Sequence, residues 1–193
     1  MKNRAHLKAR NPIYNTHLVQ EVEITPLNPK PGDRLNVTIK GGCNERTQVE
    51  IDYEQELRVV GDSFKVQINK IHVPWHKNTL FIEAKNVVTM NVAAKFIIWI
   101  TKKVNVTKGV AQYTLKDVPK GTYNIKLSGT TPQDVSKVII KIKAISEFQM
   151  DELGSCVYNF DPSCEFTGNF KVKCSQLEKS VEIKNPESTR ARD

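Results

Sequence analysis

Residues Gly109 to Leu127 read GVAQYTLKDVPKGTYNIKL, and this stretch decides the fold class. A glycine opens a strand, the turn Val118-Pro119-Lys120-Gly121 follows, and a strand beginning Thr122-Tyr123-Asn124-Ile125 returns. Proline pre-sets the turn angle and glycine supplies positive φ. Tyr123, Ile125 and Leu127 alternate with Asn124, Lys126 and Ser128. A period of two puts one set of side chains in a core and the other in water. The unit recurs on either side. Gly61 to Ala84 has its turn at Val73-Pro74 and returns through Thr79-Leu80-Phe81-Ile82. Gly154 to Cys174 turns near Thr167-Gly168 and returns through Asn169-Phe170-Lys171-Val172. Each copy reads as a hairpin with aromatic and β-branched inner faces. A hairpin of that kind must pack on another sheet to be stable.

The same alternation continues outside the repeats. Leu35-Val37-Ile39, Val49-Ile51, Phe64-Val66-Ile68, Leu80-Ile82-Ala84 and Val138-Ile140-Ile142 each mark a strand with one wet face. That is the pattern of antiparallel sheets. Turn residues separate the runs, at Pro29 to Asp33, Gly41-Gly42, Gly61-Asp62 and Gly129 to Pro132. Helical periodicity is nearly absent, with one short helix expected within Pro132–Lys137. The expected class is all-β, built of antiparallel β-sandwich modules of immunoglobulin-like type. The expected divisions are a basic arm (1–20), a first module (21–94), a second (95–145), a terminal hairpin module (146–185) and a polar tail (186–193).

In these motifs the chain resembles secreted archaeal surface proteins built of immunoglobulin-like repeats. Pro29-x-Pro31-Gly32-Asp33-x-Leu35-x-Val37 is similar to the first strand pair of such a module, and Ala84 to Ala144 to its continuation. Gly168-Asn169-Phe170 resembles the hairpin that ends such arrays. The resemblance covers roughly residues 21–183. It implies a surface-structural or adhesive role, with no shared catalytic residues. The cysteines depart from the family's pattern.

The 193 residues carry a net charge of +8. Such a balance points to an acidic partner, whether nucleic acid, an anionic lipid surface or an acidic polysaccharide. Lys2, Arg4, Lys8 and Arg10 supply half of the excess before the first acid, Glu21. The arm alternates basic and apolar residues, a strand-like period suited to adding onto a neighbouring sheet edge; a disordered tail fits the same pattern. The most apolar run, Val92 to Ile100, contains Lys95 and is too short to span a bilayer. No secretory leader is legible, so an extracellular or surface location requires one removed or absent from this chain.

Four cysteines, Cys43, Cys156, Cys164 and Cys174, form no C-x-x-C pair. A last hairpin that opposes Phe160 to Phe170 also opposes Cys156 to Cys174, within reach of a disulfide. Cys43 and Cys164 would pair by elimination; the alternative is four reduced thiols. Asn36-Val37-Thr38 and Asn105-Val106-Thr107 are glycosylation sequons, relevant only on export. Trp99 is expected in the core. Trp75, in a turn, is a candidate for stacking on a ligand or partner. His72 and His76 flank Pro74, which rules against the helical spacing a metal pair would need. Metal and cofactor are therefore expected to be absent. No nucleophile elbow, phosphate loop or carboxylate pair stands out, so no enzymatic activity is expected. The expected function is a non-catalytic structural or adhesive module of a secreted or surface assembly, with self-association or a protein partner. The alternative is a binding module for an anionic ligand, a polysaccharide or nucleic acid.

Overall fold

The computed structural model describes residues 19–73, 78–95, 97–161 and 167–184. Among these residues every regular element is a strand. In chain order they are β1 (Glu21–Thr25), β2 (Leu35–Lys40), β3 (Arg46–Arg58), β4 (Ser63–Val73), β5 (Asn78–Lys85), β6 (Thr89–Lys95), β7 (Trp99–Val104), β8 (Val106–Thr107), β9 (Val110–Lys116), β10 (Gly121–Thr130), β11 (Lys137–Gln149), β12 (Ser155–Phe160), β13 (Gly168–Cys174) and β14 (Leu177–Ile183). The expected helix within Pro132–Lys137 is absent. Those residues turn the chain between β10 and β11, with the Val135 N–H on the Pro132 carbonyl at 3.2 Å. Six residues between two long strands leave no room for a helix with a buried face.

The strands form three antiparallel sheets, ordered β1-β2-β12, β4-β10-β6-β7 and β14-β13-β3-β11-β5-β9-β8. The two smaller sheets lie on one face of the seven-stranded sheet. The three-stranded sheet covers its β14 end, where β1 runs against β14 and β13. The four-stranded sheet covers the other end, where β6 and β7 approach β9. Between the layers sit the alternating residues that periodicity placed inside: Leu35, Val37 and Ile39 from β2, Ile140 from β11, Phe170 and Val172 from β13. The Phe160 and Phe170 rings stack across the layers with centroids 5.0 Å apart. Such a pair contributes about 0.5–1.5 kcal/mol beyond its burial. Two small voids, about 40 and 50 Å³, remain where Tyr158 of β12 and Ile71 of β4 meet the large sheet.

The repeated units are present, but as arches. β4 and β5 lie in different sheets, and so do β9 and β10, and β12 and β13. The two strands of each unit face one another across the core instead of pairing edge to edge. Backbone groups at an arch leave both ladders, so side chains take them up. Buried Asn78 does this at the second arch: its Nδ2 donates to the Val118 carbonyl at 2.9 Å, and its Oδ1 accepts the Val118 N–H at 3.1 Å.

The arches interleave the expected modules. β13 pairs with β3, β12 with β2, and β11 with both β3 and β5. Segments 21–94, 95–145 and 146–185 therefore share sheets and one apolar core. The four-stranded sheet is drawn tight at Gly129, which lies between Phe64 and Met90 in the ladder. A Cβ there would collide with the Thr89 carbonyl and lie 2.8 Å from Phe64 Cε1.

Candidate functional site

Most core-facing residues of this molecule are apolar, and its charged groups lie on the two outer faces. Register assigns every outward side chain. On the seven-stranded sheet β3 presents an acidic column, Glu50, Asp52, Glu54 and Glu56. β11 lays lysines beside it. Lys143 Nζ stands 2.7 Å from Glu50 and 3.5 Å from Asp52. Lys141 reaches Glu54 at 2.6 Å, and Lys137 reaches Glu56 at 2.7 Å. On the other flank Lys171 of β13 lies opposite Asp52 in the ladder and pairs with Glu178 at 3.0 Å. Cross-strand opposite charges of this kind compensate one another.

An open cleft of about 480 Å³ lies on this face, lined among others by Glu50, Asp52, Phe81, Glu83, Gln112 and Lys143. Its charged groups are engaged by neighbours on the face, and Gln112 Nε2 donates to Glu83 at 2.7 Å. The Lys143 hydrogen bond holds the Glu50 carboxyl below its ordinary pKa. Partial burial pushes Asp52 upward, with the more distant Lys143 only partly offsetting it. Lys143 is itself raised by the hydrogen bond to Glu50.

The four-stranded sheet is different. Its strands carry Lys65, Lys70, Lys95, Lys102, Lys103 and Lys126, and no Asp or Glu. The outward grid reads Lys65, Ser128, Asn91, Lys103 in one row and Gln67, Lys126, Ala93, Thr101 in the next. Asn124, Lys95 and Trp99 follow in the third. Among the described residues none of Lys65, Lys95, Lys102, Lys103 or Lys126 lies in a salt bridge. The Lys126 ammonium lies 4.7 Å from the centre of the Trp99 ring. The surface thus offers ammonium groups and one indole, with no carboxylate on its own strands to compete.

Trp99 was expected in the core and is 38% exposed instead. The apolar run Val92 to Ile100 is not one buried strand. It breaks between β6 and β7, and β7 ends the sheet, so its residues Trp99 to Lys103 are all exposed.

The expected cysteine register does not form either. Cys156 lies opposite Ile39 of β2, and Cys174 opposite Val49 of β3 and Leu177 of β14. The β12–β13 unit is an arch, so its two cysteines sit in different sheets. Cys43, Cys156 and Cys174 are free thiols here. Burial, with smaller contributions from Asp151 and Cys174, pushes the Cys156 thiol up to about 11. Burial also raises Cys174, offset in part by its contact with Thr47 Oγ1 at 3.2 Å. Cys164, Trp75, His76 and the arm residues Lys2, Arg4, Lys8 and Arg10 lie outside the described residues.

Both sequon asparagines can be placed: Asn36 is half-buried on β2 and Asn105 is exposed between β7 and β8. Asp161 binds Arg34 at 2.6 Å, while Asp151 accepts the N–H groups of Leu153 and Ser155. Among the described residues no group of three or more His, Cys, Asp or Glu could hold a metal ion.

No family model matches the chain, and no curated protein matches it. Among solved structures it is similar to the enzymatically active domain of tailspike protein 4 of bacteriophage CBA120, at 18% identity and a TM-score of 0.29. That match covers 67% of this chain and spans 19% of the tailspike chain. At that score the likeness carries no argument about fold or activity.

Proposed function

We propose that this protein is a non-catalytic adhesive module that holds an anionic partner on the outer face of its four-stranded sheet. The observation that carries the reading is the lysine set of that face, Lys65, Lys95, Lys103 and Lys126, with no carboxylate on any of the sheet's strands. Uncompensated ammonium groups on a rigid sheet attract a polyanion and release its counterions on binding. Asn91 and Ser128 add neutral hydrogen-bonding groups between the charges. The reading joins both expectations from sequence, an adhesive role and an anionic ligand, and assigns them a surface. Immunoglobulin-like kinship and a surface location belong to the same proposal. Antiparallel sheets packed face to face and the resemblance around Pro29 to Val37 support them.

The test is chromatography on heparin and on immobilised polyphosphate, with neutral dextran as control. Retention on both anionic matrices, falling steeply with salt, is expected. Lys65→Glu/Lys126→Glu should elute at clearly lower salt. Free passage at low salt, or equal retention of the variant, would overturn the proposal.

A further inference from the structure

Ile97, Ile98, Trp99 and Ile100 are 77%, 69%, 38% and 62% exposed. Among the described residues they form the one consecutive run of exposed large hydrophobic side chains. Isolated exposed apolar residues need no explanation, but a contiguous set marks an interaction surface. The run occupies the β6–β7 turn and the start of β7, at the margin of the molecule. Ile100 lies opposite Ala94 and so points to the same side as the buried Val92 and Val104. It is 62% exposed all the same. The apolar tip is ringed by cations. Lys95 is opposite Trp99, Lys126 lies against its ring, and Lys102 and Lys103 follow in β7.

We propose that this tip docks the protein on the surface of an anionic lipid bilayer. The inference rests on the anionic-partner reading and names the partner. Aliphatic side chains at the end of a turn can enter the boundary between headgroups and acyl chains. An indole favours that level because one edge is apolar and the other polar. The surrounding lysines then stand where lipid phosphates lie, with their stems along the apolar surface and their ammonium groups in the headgroup layer.

Charge decides against a second copy of the chain as occupant. β7 carries Lys102 and Lys103 and no acid, so a second copy of this strand would bring only further cations to the tip. A soluble polyanion satisfies the lysines and leaves Ile97, Ile98 and Ile100 in water. A bilayer covers both.

The experiment is co-sedimentation with phosphatidylcholine vesicles prepared with and without phosphatidylglycerol. It is read alongside heparin retention, in the full chain carrying Trp75→Phe so that Trp99 is the sole tryptophan. Binding is expected only when phosphatidylglycerol is present, with a blue shift of the Trp99 emission. Ile97→Ser/Ile98→Ser, at exposed positions, should weaken vesicle binding roughly tenfold or more and leave heparin retention unchanged. Lys102→Gln/Lys103→Gln should weaken both. Heparin retention without vesicle binding, or vesicle binding indifferent to the isoleucine variants, overturns the bilayer while the anionic-partner reading stands. Loss of heparin retention in the unaltered protein overturns both. Pull-down of an acidic protein through β7 in place of vesicle binding also overturns the bilayer.

Discussion

The two outer faces of this molecule are built from the same material and behave oppositely. Both are antiparallel sheets with lysine at many outward positions. On the seven-stranded sheet Lys137, Lys141 and Lys143 stand next to the acidic column of β3, and each ammonium is met by a carboxylate. On the four-stranded sheet the neighbours of Lys65, Lys126 and Lys103 are Ser128, Gln67, Ala93, Thr101 and Asn91. A lysine's availability is set by the residue across the ladder, and strand order chooses that residue. The cleft of about 480 Å³ on the compensated face illustrates the point. It has volume and charged groups, but those groups already pair with neighbours on the face.

The sharpest way to break this contrast is to remove the compensation. Glu50→Gln/Asp52→Asn/Glu54→Gln/Glu56→Gln should turn the seven-stranded sheet into a second basic face. At about 1 kcal/mol per lysine freed near an anionic surface, three lysines correspond to a gain on the order of a hundredfold in affinity for heparin. Isothermal titration at low salt measures it, and an unchanged affinity would show that pairing is not what silences this face.

A smaller effect is expected from Gly129→Ala, which loosens the basic sheet and leaves the other intact. The new methyl meets the Thr89 carbonyl and Phe64, and overpacking of this kind costs about 1–3 kcal/mol. Thermal unfolding should show a fall of several degrees, about 2–4 °C for each kcal/mol in a chain of this length. Wild-type stability would mean that the sheet accommodates a wider spacing.

The smallest effect concerns pH. Glu50 is depressed by Lys143, so its contribution to stability is present above the ordinary carboxylate range and is lost as pH falls through its folded pKa. Asp52, raised by burial, works in the opposite sense, and Lys143 restrains that rise. Lys143→Met should move both carboxyls upward in an NMR titration. The variant should be less stable than wild type at neutral pH, by less than about 1 kcal/mol for so exposed a pair. That deficit should close as the pH drops below the carboxylate range. A deficit that persists in acid would assign the loss to packing of the lysine stem.

Much of the fold is legible in the residues themselves. The alternations at Leu35 to Lys40, Phe64 to Asn69, Leu80 to Ala84, Tyr123 to Ser128 and Val138 to Lys143 all fall inside strands, and apart from the half-buried Tyr123 the apolar set is turned toward the core. The candidate site was legible only as a list of lysines. The absence of acids from residues 63–73, 89–95, 99–104 and 121–130 stands in the sequence. It becomes one surface only because those segments are neighbours in a sheet.

Trp99 shows the limit from the other side. An apolar run reads as core, yet Trp99 lies opposite Lys95 on the outward side of β7, the last strand of its sheet. The amino-acid sequence by itself determined that this chain is all β, where its strands run and which side of each is apolar, because a period of two is a local property of the backbone. Tertiary structure alone decided that Gly109–Leu127 and its two counterparts are arches. A half-buried strand can satisfy its inner face equally well beside its neighbour or across the core from it. That choice put carboxylates beside one set of lysines and left the other set uncompensated.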